Sequence, residues 1–172
     1  DTSVCLNDPL VQLGGQPLGG NWTGSINLLG NVYNPSTVTL DTLVYTFGSG
    51  NCLTNDSLLV EVYALPVVDA GPDDSFCVNN SVQDLELSAV IKGGLWSGTG
   101  IIDPAGLFEP ALAGVGTHII TNTITDNNSC VNSDNISIEV LALPVVDAGI
   151  DSNVCNQPIA VQLSGSPVGG IW

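Results

Sequence analysis

Apolar residues recur at every second position in several short stretches of this chain, and nowhere at a helical spacing. Residues 117–126 alternate for a whole strand. His118, Ile120, Asn122 and Ile124 fall on one face, and Ile119, Thr121, Thr123 and Thr125 on the other. An earlier stretch of the same kind carries Leu43, Tyr45 and Phe47, which marks the face with Ile120 and Ile124 as inward. Residues 135–140 alternate as a returning strand, matched by Leu58, Val60 and Val62 with Glu61 outward. Asp126-Asn127-Asn128-Ser129-Cys130 between them predicts a hairpin bend. Residues 84–89 read as a half-buried strand, with Leu85, Leu87 and Ala89 on one face and Glu86 and Ser88 on the other. Phe108, in a short strand after the turn at residues 103–106, is predicted inward.

The pattern repeats. Leu65-Pro66-Val67-Val68-Asp69-Ala70-Gly71 returns unchanged at residues 143–149, an offset of 78, and Cys52 to Cys130 and Cys77 to Cys155 keep the same step. A period this long with strand-like content implies one small β domain per repeat. The first unit, residues 1–64, is expected to lack its first strand, which the Pro-edged run at residues 65–70 supplies to the second. Residues 65–142 form a complete unit, and residues 143–172 the N-terminal part of a third. So few residues cannot bury a core of their own, so the chain is expected to be a window on a longer array; the rarer alternative is that partial ends complement each other between molecules. Seven or so short strands per unit, with Gly, Pro and Asn turns, predict an all-β fold of tandem immunoglobulin-like antiparallel β-sandwiches. The join Leu141-Ala142-Leu143-Pro144 has no flexible Gly/Ser linker, so a semi-stiff rod is expected.

Charge narrows the partners. One Lys, no Arg and seventeen acidic residues leave a net charge of −16. Nucleic acid is excluded as a partner because phosphate binding needs cations to displace counterions, and anionic lipid is disfavoured. No apolar run reaches the roughly 18 residues of a membrane span and no signal peptide opens the chain, so no membrane insertion is expected in this window and any export signal is expected outside it. Asn, Ser, Thr and Gly do most of the solvating, a usage that suggests an extracellular setting.

Each repeat carries one Cys near its start and one about fifty residues later. The arithmetic predicts one disulfide per repeat, Cys5 to Cys52 and Cys77 to Cys130, with Cys155 unpaired by truncation. Metal-binding thiols are the competing reading, and they need clustered Cys and His that the sequence does not offer. Trp22, Trp96 and Trp172 hold the same phase behind paired glycines, which favours core residues over an exposed sugar-stacking platform.

His118 is the only imidazole and occurs in one unit, so it reads as a strand residue, not a general base; an enzyme is not expected. Asp69, Asp73 and Asp74, with Asp147 and Asp151 one period on and Asp126 in a nearby loop, make calcium the one candidate cofactor, able to rigidify the joint between units. Turn chemistry and an acidic surface explain the same residues. N-linked sequons stand at Asn21, Asn55, Asn79, Asn127 and Asn135.

The strings Gly94-Leu95-Trp96-Ser97-Gly98-Thr99-Gly100-Ile101-Ile102-Asp103, Gly106-Leu107-Phe108-Glu109-Pro110, Gly114-Val115-Gly116-Thr117 and Thr125-Asp126-Asn127-Asn128-Ser129-Cys130 resemble the immunoglobulin-like repeats of giant surface proteins of Bacteroidota. That group includes gliding-motility adhesins of the SprB type, exported by type IX secretion. The first unit departs from it, with Asn31-Val32-Tyr33-Asn34-Pro35 in place of the Gly-Phe-x-Pro piece. The resemblance implies display on the exterior of a bacterial outer membrane. Its expected partners are neighbouring repeats, surface polysaccharide or the secretion and motility machinery. It also implies O-glycans on Asp-Ser/Thr-aliphatic triplets, which Thr42 and Ser57 fit. Three functions are open: a stalk or filament segment of a surface adhesin, a repeat that binds glycan through an exposed Tyr33, Tyr45 or Tyr63, or the spacer of an exported hydrolase.

Overall fold

A computed structural model describes residues 1–151, 153–155 and 160–171. Two modules of the same design follow one another. In module 1, β1 (Thr2–Cys5), β7 (Cys52–Tyr63), β6 (Thr39–Ser49) and β3 (Asn21–Thr23) form one sheet in the order β1-β7-β6-β3. The short strands β2 (Val11–Gln12), β5 (Val32–Tyr33) and β4 (Leu28–Leu29) form the other, in the order β2-β5-β4. Module 2 repeats this. Its four-stranded sheet joins β8 (Asp74–Cys77), β14 (Val131–Leu141), β13 (Gly116–Thr125) and β10 (Leu95–Ser97), and its three-stranded sheet joins β9 (Gln83–Asp84), β12 (Leu107–Phe108) and β11 (Ile101–Asp103). Pairing is antiparallel except for β1 with β7 and β8 with β14, where the first strand lies parallel to the last. Four strands facing three is the immunoglobulin-like sandwich.

Alternation builds the cores. Along β6 and β7, Leu43, Val60 and Val62 turn inward and meet Tyr33 from the small sheet and Leu13 just after β2, while Tyr45 is buried beside Trp22. In module 2, Ile120, Ile136, Ile138 and Val140 meet Leu85 and Phe108 around Trp96. The two cores are separate, and no strand of one module pairs with a strand of the other.

Three local expectations are corrected. Residues 65–70 enter no sheet ladder: Pro66 has no N–H to give, and the segment is held instead by the Asp69 carbonyl, which accepts from Val90 and Ile91. The strand expected over residues 84–89 ends at Asp84, because the Asp84 carboxylate accepts the Glu86 N–H and caps a single 3-10 turn, Leu85–Leu87. That turn sends Glu86 inward, where its carboxylate accepts the Trp96 indole N–H at 2.8 Å and the Gly93 N–H at 2.6 Å. A second turn of helix, α1 (Pro110–Ala113), starts on a proline and stops at Gly114, whose φ of 79° suits glycine alone. Beyond module 2, an isolated bridge joins Asp147 to Ser166. Among the described residues no helix is long and apolar enough to cross a membrane.

Candidate functional site: the junction between modules

The strand register decides where each cysteine lies. Cys5 ends β1 beside Tyr63, whereas Cys52 opens β7 at its other end, eleven residues away. At about 3.3 Å per strand residue that is about 36 Å, several times the reach of a disulfide. Cys77 beside Leu141 and Cys130 before β14 are separated in the same way. The expected pairs Cys5–Cys52 and Cys77–Cys130 are therefore not formed. The bond in the structure is Cys5–Cys130, with a Cα separation of 5.5 Å, and it crosses from module 1 to module 2. Cys52, Cys77 and Cys155 are exposed free thiols.

Two turns aim this bond. After Cys5, the Asp8 N–H donates to the Cys5 carbonyl while the Asp8 carboxylate accepts the Cys5 N–H at 2.7 Å, and Leu6 N–H reaches Tyr63 O. These bonds hold Cys5 at the exit end of module 1. Across the joint, Asp126 organises the hairpin that carries Cys130: one oxygen, Oδ1, accepts the N–H groups of Asn128 and Cys130. Ser129 takes φ 67° in that bend, and Cys130 is fully buried.

The chain between the modules runs beside the same bond. Asn132 Nδ2 donates to Pro66 O, Ala70 N–H to Asp134 Oδ2, and Ser137 N–H to Asp73 Oδ1, so the incoming segment lies along β14 until β8 takes over the pairing. The Ala70 and Asn135 N–H groups hold the Asp134 carboxyl below the usual aspartate range.

Most of the candidate acidic residues accept backbone N–H groups. Asp69 and Asp147 each accept from the glycine two positions on, at 3.0 and 2.8 Å, and Asp74 accepts from Ser75. Asp151 is exposed. Among the described residues no group of three or more His, Cys, Asp or Glu is placed to hold a metal ion. His118 is half-buried with Nε2 2.9 Å from Gly114 O.

Of the aromatics, Trp96 is 2% exposed and Trp22 is half-buried against Tyr45, while Trp172 lies outside the described residues. Tyr33 and Tyr45 are buried, so neither offers a face to a sugar; Tyr63 is half-buried. Thr42 and Ser57 are both exposed, one diagonal step apart on β6 and β7. Glu86 and Asp8 do not stand out in the sequence. The signal for Asp8 is its position three residues after Cys5.

No protein family and no curated protein matches the sequence. Solved structures similar to it include the crystal structure of human mucin-like protocadherin EC1-2, at 12% identity over 82% of this chain and 95% of that one, with a TM-score of 0.30. Another is human protocadherin-24 EC1-2 form II, at 13% identity over 83% and 95%, with a TM-score of 0.28. With superposition this loose, the fold rests on the sheets' own pairing: the chain is a tandem of immunoglobulin-like modules. The disulfide belongs to an oxidising compartment, outside the cytoplasm.

Proposed function

We propose that this chain is a stalk or filament segment of a large bacterial cell-surface adhesin that serves surface attachment or gliding motility, with a mechanical role. The observation that carries this reading is the Cys5–Cys130 bond, which ties two separately cored modules together alongside their linker. A binding module has no need of a covalent joint to its neighbour, whereas a projecting rod does. Geometry along the pull also fits. With the bond intact, tension from the N-terminus passes through the two sulfurs to Cys130 and leaves after Leu141, so it loads β14 in shear against β13 and β8 and shields residues 6–129. A net charge of −16 keeps such rods soluble and apart. The Bacteroidota resemblance supplies the surface setting.

Pulling single molecules between their termini tests the reading. With the disulfide intact, residues 6–129 are expected to stay locked behind the bond, so only the chain outside it extends; after reduction two module-sized unfolding steps are expected. Retention of the isolated chain on surface polysaccharide would sink the stalk reading in favour of a glycan-binding repeat.

A further inference from the structure

We infer that Cys77 is the outgoing half of a second inter-module staple, and that its partner is the hairpin cysteine of a further copy of this module docked after module 2. The inference rests on the reading of the chain as part of an array. Its first ground is local identity at the exit ends. Cys5 pairs with Tyr63 on the last strand of module 1, and Cys77 with Leu141 on the last strand of module 2. Leu6 N–H donates to Tyr63 O and Val78 N–H to Leu141 O; Asp8 N–H donates to Cys5 O and Asn80 N–H to Cys77 O. The same backbone bonds therefore hold Cys77 as hold Cys5, without the carboxylate bond that Asp8 adds, yet Cys77 is exposed and free.

The second ground is the linker that leaves each module. From Tyr63 the chain runs Ala64-Leu65-Pro66-Val67-Val68-Asp69-Ala70-Gly71, and from Leu141 it runs Ala142-Leu143-Pro144-Val145-Val146-Asp147-Ala148-Gly149. The second linker already adopts the first one's turn. Asp147 accepts from Gly149 as Asp69 does from Gly71, and the Asp147 carbonyl accepts from Ser166 as the Asp69 carbonyl does from Val90. A linker of equal length and sequence with the same turn delivers the next module to Cys77 at the place where module 2 meets Cys5. The partner must carry a five-residue hairpin like Asp126-Asn127-Asn128-Ser129-Cys130. Cys52 sits differently, paired with Ser49 across a two-residue turn, and is not assigned this role.

The bond forms by oxidation of two thiols to one disulfide. Two protons and two electrons pass to a disulfide oxidant such as oxidised glutathione, which leaves as two thiols through a mixed-disulfide intermediate.

The test extends the chain so that Trp172 runs on into residues 97–142 of a second copy, completing a third module with a second hairpin cysteine. After refolding in a glutathione buffer, non-reducing peptide mapping should return Cys5–Cys130 and Cys77 joined to the added cysteine. Alkylation of Cys77 should fall at least about tenfold from its level in the 172-residue chain, while Cys52 and Cys155 stay reactive. A link from the added cysteine to Cys155, or a fully alkylated Cys77, overturns the proposal. Should the extended chain not fold, the protein from its source cells is mapped without reduction. Cys77 joined to a hairpin of the Asp-x-x-x-Cys kind supports the staple; Cys77 free, or joined to Cys52, Cys130 or Cys155, overturns it. Either result is read from covalent links alone, so it stands apart from the pulling measurement.

Discussion

Inside module 1, Tyr33 donates its hydroxyl to Asp41 at 2.7 Å; at the same register positions module 2 has Phe108 and His118. A second exchange lies beside the tryptophan. Trp22 pairs with Tyr45, whose hydroxyl donates to Pro17 O at 2.6 Å and accepts Gly20 N–H at 2.8 Å, whereas Trp96 pairs with Asn122, fully buried with neither polar atom partnered. The glycine before each strand leaves room for this. A Cβ on Gly20 would strike the Tyr45 ring and one on Gly94 the Asn122 amide. The lesson is that one set of strands tolerates two interiors: module 1 ties its tyrosines into hydrogen bonds, and module 2 buries its tryptophan deeper and ties that indole to Glu86.

The largest expected effect falls on both modules at once. With Cys5→Ser, unfolding either module no longer has to close a loop of about sixty residues through its folded neighbour, which is worth about 4 kcal/mol in the chain-entropy model. Denaturant titration should show both transitions shifted down while each module still folds, and small-angle scattering should show a wider spread of inter-module angles. A loss confined to one module would break the picture of a bond shared between two cores.

Next come the tryptophans. Trp96→Ala should cost module 2 about 3–5 kcal/mol, while Trp22→Ala, at a half-buried site, should cost module 1 about half that. Equal losses in paired thermal melts would mean that the difference in depth has no energetic weight. Smaller again are the changes beside them. Asn122→Leu should raise the stability of module 2 by about 1–2 kcal/mol by removing an unsatisfied amide, and Tyr45→Phe should lower that of module 1 by about 1–2 kcal/mol.

The smallest separates the modules by pH. Burial, then the bond to Asp41, pushes the Tyr33 hydroxyl from 10.0 up to about 12. Because the folded state holds this proton longer than the unfolded one, its stabilisation is complete below pH 10 and is lost as pH climbs towards 12. Burial pushes Asp41 up, but the hydroxyls of Ser25, Tyr33 and Thr39 outweigh it and hold the carboxyl below its ordinary 3.8. That contribution is present above the ordinary value and fades as pH falls through the folded one. Tyr33→Phe should flatten the alkaline loss in module 1; an unchanged profile would remove Tyr33 as its source.

Much of this was legible in the sequence. The 78-residue echo places the modules, and two-residue alternation along Leu43, Tyr45, Val60 and Val62 finds the faces of the long strands. Short elements were harder. Leu85, Glu86 and Ser88 alternate like a strand, but a carboxylate one residue earlier satisfies the backbone locally and bends it into a turn. Cysteine pairing was hidden for a different reason. Spacing along the chain says how long a loop is, not that the first strand runs parallel to the last and carries its thiol to the far end. The aspartates stay ambiguous in the sequence because turn formation and ion binding draw on the same side chain. The observed N–H partners show the turn-forming use at Asp69, Asp74 and Asp147.

Because Cys5 and Cys130 lie on different cores, neither half alone can bring them within bonding distance. Folding of both neighbours holds the two sulfurs together, so formation of the link reports on assembly of the joint. A Cys5 or Cys130 thiol still titratable after export marks a joint whose far side has not finished folding.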